Sequence, residues 1–162
     1  MAGIARSRLT QERKNWRKDH PYSFVAKPET RDDGSSDILV WQCIIPGKKG
    51  GIWEGGFYPV VLKFSEEYPE KPPQANFPQH FFHPNVYPSG KICLSILNEE
   101  KGWRPSLSVK QILQGIQDLL DNPNNGDPAQ EKAYHLLLNS KAQYELTVKK
   151  EGLLPKDSWY TT

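Results

Sequence analysis

Residues 37–64 read DILVWQCIIPGKKGGIWEGGFYPVVLKF, and this stretch decides the fold class. Two apolar runs rich in β-branched and aromatic residues, 37–45 and 57–64, flank a segment of glycines and lysines. Both runs have strand length, and no helical period lies between them. Strands joined without an intervening helix pair antiparallel. Outward from this hairpin, 22–27 reads as a preceding strand, turned by Asp32-Asp33-Gly34, and 74–77 as a following one. Together they form a four-stranded antiparallel meander.

Beyond the meander the pattern breaks. Eight of the 14 prolines fall between Pro59 and Pro105. The run from Tyr68 to Pro73 excludes both helix and central strand. Residues 79–104 show little periodicity, yet they contain Phe81, Phe82, Val86, Tyr87, Ile92, Leu94, Ile96, Leu97 and Trp103. That much apolar material predicts a long, ordered loop packed on the core.

Both ends of the chain are helical. Near the N-terminus, 4–18 is a basic amphipathic segment in which Ile4, Ala5, Leu9 and Trp16 share a face. Further on, Ser108 and Gln111 form a capping box ahead of Val109, Ile112, Leu113, Ile116, Leu119 and Leu120. The run Asn122-Pro123-Asn124-Asn125-Gly126 ends that helix. Asp127 is then expected to cap a new one, with Pro128 in its first turn and Gln130 three on. A last helix covers about 141–150 and ends at Gly152. Helix, strands, then helices make an α+β domain.

The 162 residues weigh 18.5 kDa, which suits one domain over 1–162 that buries about 69% of its unfolded surface. A net charge of +2 argues against a protein that coats nucleic acid. The charge is uneven: residues 1–20 hold six Lys/Arg and two Asp/Glu (+4), and the rest holds 15 basic against 17 acidic (−2). Two cysteines exclude a disulfide scaffold. No apolar stretch approaches the roughly 20 residues of a bilayer helix. A soluble intracellular protein with reduced thiols is expected, with no membrane and no nucleic-acid partner.

Cys43 lies inside a strand run and reads as core. Cys93 lies in the irregular segment with no obvious general base beside it, so buried filler and reactive thiol both remain open. His80, His83 and Cys93 form an H-x2-H…C set without a fourth ligand, so no metal is expected and His83 reads as a loop-locking side chain. Asn85 can donate to an oxyanion or hold the turn after Pro84.

Tyr68-Pro69…Pro72-Pro73, His83-Pro84-Asn85-Val86-Tyr87, Gly90-Lys91-Ile92-Cys93-Leu94 and Trp103-Arg104-Pro105 together resemble the ubiquitin-conjugating enzyme family. The motifs are dense, ordered and spread over most of the chain. The basic first helix, the hairpin between Pro46 and Gly56, Tyr87-Pro88-Ser89-Gly90, Cys93-Leu94-Ser95-Ile96-Leu97 and Asp127-Pro128-Ala129-Gln130 are most similar to its SUMO-conjugating branch, and Pro28-Glu29-Thr30 and Leu97-Asn98-Glu99 resemble its plant forms. The resemblance implies the fold of that family, an intracellular place in nucleus and cytoplasm, and an acyl transfer. Cys93 would accept SUMO as a thioester and pass it to a substrate lysine as an isopeptide. Asn85, Tyr87 and Asp127 would complete the catalytic set. Ser89, Lys91, Lys101, Pro128, Ala129, Gln130 and Tyr134 would bind the substrate. Arg13, Lys14, Arg17, Lys18 and His20 would bind SUMO and the activating enzyme. No cofactor is implied, since ATP is used upstream by that activating enzyme. SUMO ligases and lysine-bearing proteins would be further partners. A ubiquitin-carrying enzyme and a non-catalytic SUMO-binding scaffold of the same fold are the alternatives.

The chain departs from the branch near the cysteine. The family usually has lysines where Gln74 and Asn76 stand, and small residues where Lys91 and Glu131 stand. A weakened or shifted preference for an acidic residue downstream of the target lysine is the expected consequence. The tail, Leu153 to Thr162, also departs from the family pattern.

Overall fold

The computed structural model describes residues 2–151; the expected stop at Gly152 and the tail beyond it lie outside these. Helix α1, Ala2–Lys18, is followed by strands β1, Val25–Thr30, β2, Ser36–Pro46, β3, Phe57–Lys63, and β4, Gln74–Asn76. A 3-10 turn, Ser95–Leu97, precedes α2, Val109–Asp121, α3, Glu131–Asn139, and α4, Lys141–Glu151. The strands form one sheet in the order β1-β2-β3-β4, antiparallel throughout. The α+β meander with flanking helices is therefore as expected.

One face of the sheet makes the core. Trp41, Cys43 and Ile45 on β2 and Tyr58, Val60 and Leu62 on β3 alternate inward and are buried. The apolar stripe of α2 (Val109, Ile112, Leu113, Ile116, Leu119, Leu120) is buried as well. Its capping box forms as read: Ser108 Oγ accepts from the Gln111 N–H at 3.1 Å, and Gln111 Oε1 accepts from the Ser108 N–H at 2.9 Å. Helix α1 adds Ala5, Leu9 and Trp16 to the core. Its buried Glu12 was not anticipated: Oε1 accepts from the Val109 N–H at 2.9 Å, and Oε2 pairs with Arg8 at 3.1 Å. A carboxylate at the start of α2 satisfies an orphan donor and suits the positive end of that helix.

Three readings change. Ile4 is exposed rather than buried, because it sits 100° around the helix from Ala5. The first strand starts at Val25, not Tyr22; Ser23 has φ +68° and Tyr22 points into solvent. Asp127 does not cap α3, which begins at Glu131 with Gln130 in the cap position and no side-chain cap bond.

Candidate active site

The segment between β4 and α2 carries the site. It has almost no ladder of its own, so side chains satisfy its backbone. An aromatic column lies beneath it: Phe77 stacks on Phe81 at 4.0 Å, Phe81 on Trp53 at 5.3 Å, and Trp53 meets Tyr58 edge-on at 5.4 Å. The Trp53 indole N–H donates to the Leu120 carbonyl at 2.8 Å, tying the hairpin to the end of α2. At the far end, the Trp103 indole reaches the Pro69 and Glu70 carbonyls at 3.0 and 3.2 Å.

His83 is fully buried and locks the start of the segment. Its Nδ1 accepts from the Asn85 N–H at 3.0 Å, so Nε2 carries the proton and donates to the Leu119 carbonyl at 2.9 Å. Burial pushes its pKa down to about 4, against the pull of the backbone carbonyls. Both ring nitrogens are thus engaged, as expected of a loop-locking histidine. Among the described residues, no group of three His, Cys, Asp or Glu is placed to hold a metal ion.

Gly90 turns the chain back toward the cysteine. It has φ +97°, and a β-carbon there would lie 2.1 Å from the Phe77 carbonyl oxygen. Its N–H donates to the Tyr87 carbonyl at 2.8 Å, and its own carbonyl accepts from the Phe77 N–H at 2.9 Å. This tight return puts Tyr87 and Lys91 side by side, the Tyr87 N–H donating to the Lys91 carbonyl at 2.9 Å. The Cys93 N–H then donates to the Asn85 carbonyl at 2.9 Å.

Asn85 is 0% exposed, and its amide is fully used. Nδ2 donates to the carbonyls of Asn124 and Asp127 at 2.7 and 2.8 Å, and Oδ1 accepts from the Asn124 N–H at 2.8 Å. Of the two roles open to it, this is the loop-ordering one: neither amide hydrogen points at the cleft. Asn85 holds the 124–127 turn in place. Asn124, first read only as part of a helix terminator, completes the arrangement by donating from Nδ2 to Asp127 Oδ2 at 3.0 Å. The sequence signal was an Asn in a turn, which many functions share.

The result is an open cleft of about 430 Å³. Of the anticipated site residues, Cys93, Tyr87, Lys91, Lys101 and Asp127 line it, joined by Lys71, Ser95, Asn98 and Glu99. Asp127 pairs with Lys101 at 3.5 Å. Tyr87 is 42% exposed, an unusual setting for a large ring. Cys93 is partly accessible, and its thiol pKa is raised, first by desolvation and then by Asp127, against Lys101 and Lys91. Cys43, by contrast, is 2% exposed and held well above the ordinary thiol range by burial.

Other anticipated residues flank the cleft. Ser89 sits on the turn before Lys91, its Oγ accepting from the Lys91 N–H at 3.3 Å. The Ala129 N–H donates to the Pro84 carbonyl at 2.8 Å, and the Gln130 amide donates to the Phe81 and Val86 carbonyls at 2.8 and 3.0 Å. Gln130 is therefore an internal brace, not a free surface amide, while Pro128 is exposed and Tyr134 is half-buried on α3. Asn76 bridges Lys91 across the sheet edge, and its side chain lies 3.0 Å from that of Gln74. Glu131 is exposed at the start of α3.

Helix α1 contributes nothing to the cleft lining. Lys14, Arg17 and Lys18 are exposed, and Arg13 is half-buried with its pKa lowered by burial and by Arg17. His20 stacks on Trp16 at 5.1 Å and reaches the Trp16 carbonyl through Nδ1 at 2.8 Å.

Residues 8–151 match the ubiquitin-conjugating enzyme family. The chain is 63% identical over 148 residues to the SUMO-conjugating enzyme SCE1 of Arabidopsis thaliana, covering 91% of this chain and 92% of that protein. It is 58% identical to the Sumo-conjugating enzyme ubc9 of Dictyostelium discoideum, covering 94% of this chain and 96% of that one. It is 53% identical to the SUMO-conjugating enzyme UBC9 of Caenorhabditis elegans, covering 94% and 92% respectively. With the motifs, the meander and the cysteine cleft in one chain, this protein belongs to the ubiquitin-conjugating enzyme family.

Proposed function

We propose that the chain is a SUMO-conjugating enzyme: Cys93 takes SUMO as a thioester from an activating enzyme and passes it to a lysine of a target protein. The make-up of the cleft carries this reading. It holds an accessible thiol without a general base, beside an exposed aromatic ring and a carboxylate. The names of the relatives supply the modifier.

A carrier thiol needs no activating base, because it receives an acyl group that is already activated. Loading exchanges one thioester for another, and the proton on Cys93 leaves with the departing thiol. The raised thiol pKa makes Cys93 a poorer leaving group than an exposed cysteine. That slows loss of the acyl group to water while the enzyme waits for a target.

Transfer requires a neutral amine, and a free lysine is neutral only about once in 2,500 at pH 7. Tyr87 packs on the methylenes of the incoming lysine and removes water around it. Asp127 sits where the ammonium arrives, already in contact with Lys101 and Asn124. A carboxylate alone favours the charged amine, so Asp127 works by orienting the nucleophile and taking its proton. Asn85 fixes the turn that carries Asp127. No bound cofactor enters this scheme, and ATP is consumed by the activating enzyme.

Specificity is read on two surfaces. Gln74 and Asn76 leave the sheet edge uncharged and Lys91 provides a cation closer to the thiol, so an acidic residue beyond the target lysine is read weakly and from a shifted side. The cations of α1, Arg13, Lys14, Arg17 and Lys18, face an acidic protein partner, SUMO or the activating enzyme, and speed its encounter. Ligases and lysine-bearing targets complete the partners.

Charging with ATP, SUMO and its activating enzyme tests the reading. The expected product is a reductant-sensitive adduct absent in Cys93→Ala. An adduct with ubiquitin and its activating enzyme, but none with SUMO, overturns the modifier.

A further inference from the structure

Three lysines line the cysteine cleft, and they differ in one respect. Lys71 pairs with Glu67 at 3.3 Å, and Lys101 pairs with Asp127 at 3.5 Å. The Lys91 ammonium has no ion-pair or hydrogen-bond partner among the described residues. It is the cleft's one uncommitted amine among those residues.

Its position in the chain matters as much. Lys91 bridges Asn76, and Ile92 bridges Val86, so the backbone runs extended into Cys93. Burial alternates accordingly: Lys91 is exposed, Ile92 is 4% exposed and turned inward, and Cys93 faces out again. In extended chain, residues i and i+2 share a face and stand about 7 Å apart. Four methylenes cover that separation, and the Lys91 charge is felt at the Cys93 thiol.

We infer that Lys91 is a self-modification site, its amine attacking the acyl group carried on Cys93 of the same chain. This rests on Cys93 carrying a thioester, as proposed above. The Lys91 ammonium first gives one proton to water; the neutral amine then adds to the thioester carbonyl carbon, the N–C bond forms and the C–S bond breaks. The amine's proton goes to the departing thiolate, leaving an isopeptide on Lys91 and a free Cys93 thiol. No oxidant, metal or further reactant takes part. Tethering two residues away gives this amine an effective concentration that no dissolved lysine reaches. The attached modifier then remains at the mouth of the cleft, so an enzyme left loaded without a target retires itself.

The experiment loads the full chain with fluorescent SUMO, stops the activating enzyme with EDTA, adds no target, and samples with and without reductant. As the reductant-sensitive band decays, a reductant-resistant one is expected to grow. Its first-order rate constant should stay unchanged over a tenfold enzyme dilution. Tryptic mapping should place the branch on Lys91, and Lys91→Arg should lower the resistant yield per thioester consumed at least tenfold. A thioester that decays with no resistant adduct, an adduct mapped to a different lysine, or a rate that scales with enzyme concentration overturns the inference while the carrier function stands. Absence of any reductant-sensitive band sinks both.

Discussion

Cys43 and Cys93 lie in two kinds of structure. Around Cys43 the chain is regular: β2 pairs with β1 on one side and β3 on the other, and the ladder satisfies the backbone. Around Cys93 the ladder shrinks to isolated bridges at Lys91 and Ile92, and the backbone is held by His83, Asn85, Gln130 and Trp103 side chains reaching across 33 to 49 residues of sequence. The first arrangement buries a thiol and silences it. The second lets a thiol reach solvent without loosening the chain that carries it. An irregular backbone can be as well determined as a sheet when buried polar side chains take over the hydrogen bonds, and each such side chain becomes a point of failure.

The contrast breaks most visibly in reactivity. Iodoacetamide should alkylate Cys93 in the folded protein, while Cys43 should react at least ~10³-fold more slowly, since its exposure needs an opening of the core sheet. Peptide mapping after timed quenching measures this, and comparable rates at the two thiols would end the comparison.

Next comes Gly90→Ala. It puts a β-carbon against the Phe77 carbonyl at positive φ, and it should cost about 3 kcal/mol of unfolding free energy by urea titration. A similar loss would follow in the sheet only from deep core truncations.

His83 gives the comparison a pH dependence. Its folded pKa lies at about 4 against 6.5 for the free side chain, so between these values the unfolded chain binds the extra proton. Stability is therefore complete above pH 6.5 and falls by about 3 kcal/mol as pH drops to 4. Urea midpoints from pH 7 to pH 4 measure the slope, and His83→Gln should flatten this part of it.

The smallest effect belongs to α1. Arg17→Glu should change stability by no more than about 0.5 kcal/mol, because the side chain is exposed and unpaired among the described residues. It should slow association with an acidic partner about tenfold at low salt and less at high salt, by stopped-flow fluorescence.

What was legible in the sequence follows the same division. The hairpins and α2 could be read because period and capping chemistry are local, and the Ser108–Gln111 box formed as written. The site was legible as a set of residues but not as an arrangement. Asp127 followed by Pro128 has the local grammar of a helix start, yet its carboxylate is held by Lys101 and Asn124, and the helix waits until Glu131. Asn85 could be an oxyanion donor or a loop anchor by residue type alone; only its three bonds to 124 and 127 decide. Ile4 failed for a smaller reason: a face shared on paper leaves out where the sheet lies.

The lacing of 81–86 to 124–130 bears on synthesis. A nascent chain that has emerged only as far as α2 contains its cysteine, but not the turn that holds the carboxylate or the Gln130 brace. The cleft closes only after the chain past residue 130 has folded back onto Pro84 and Phe81. Ribosome-bound and truncated chains thus carry the thiol without the turn that sets Asp127 beside Lys101, and the cleft is among the last parts of the molecule to be completed.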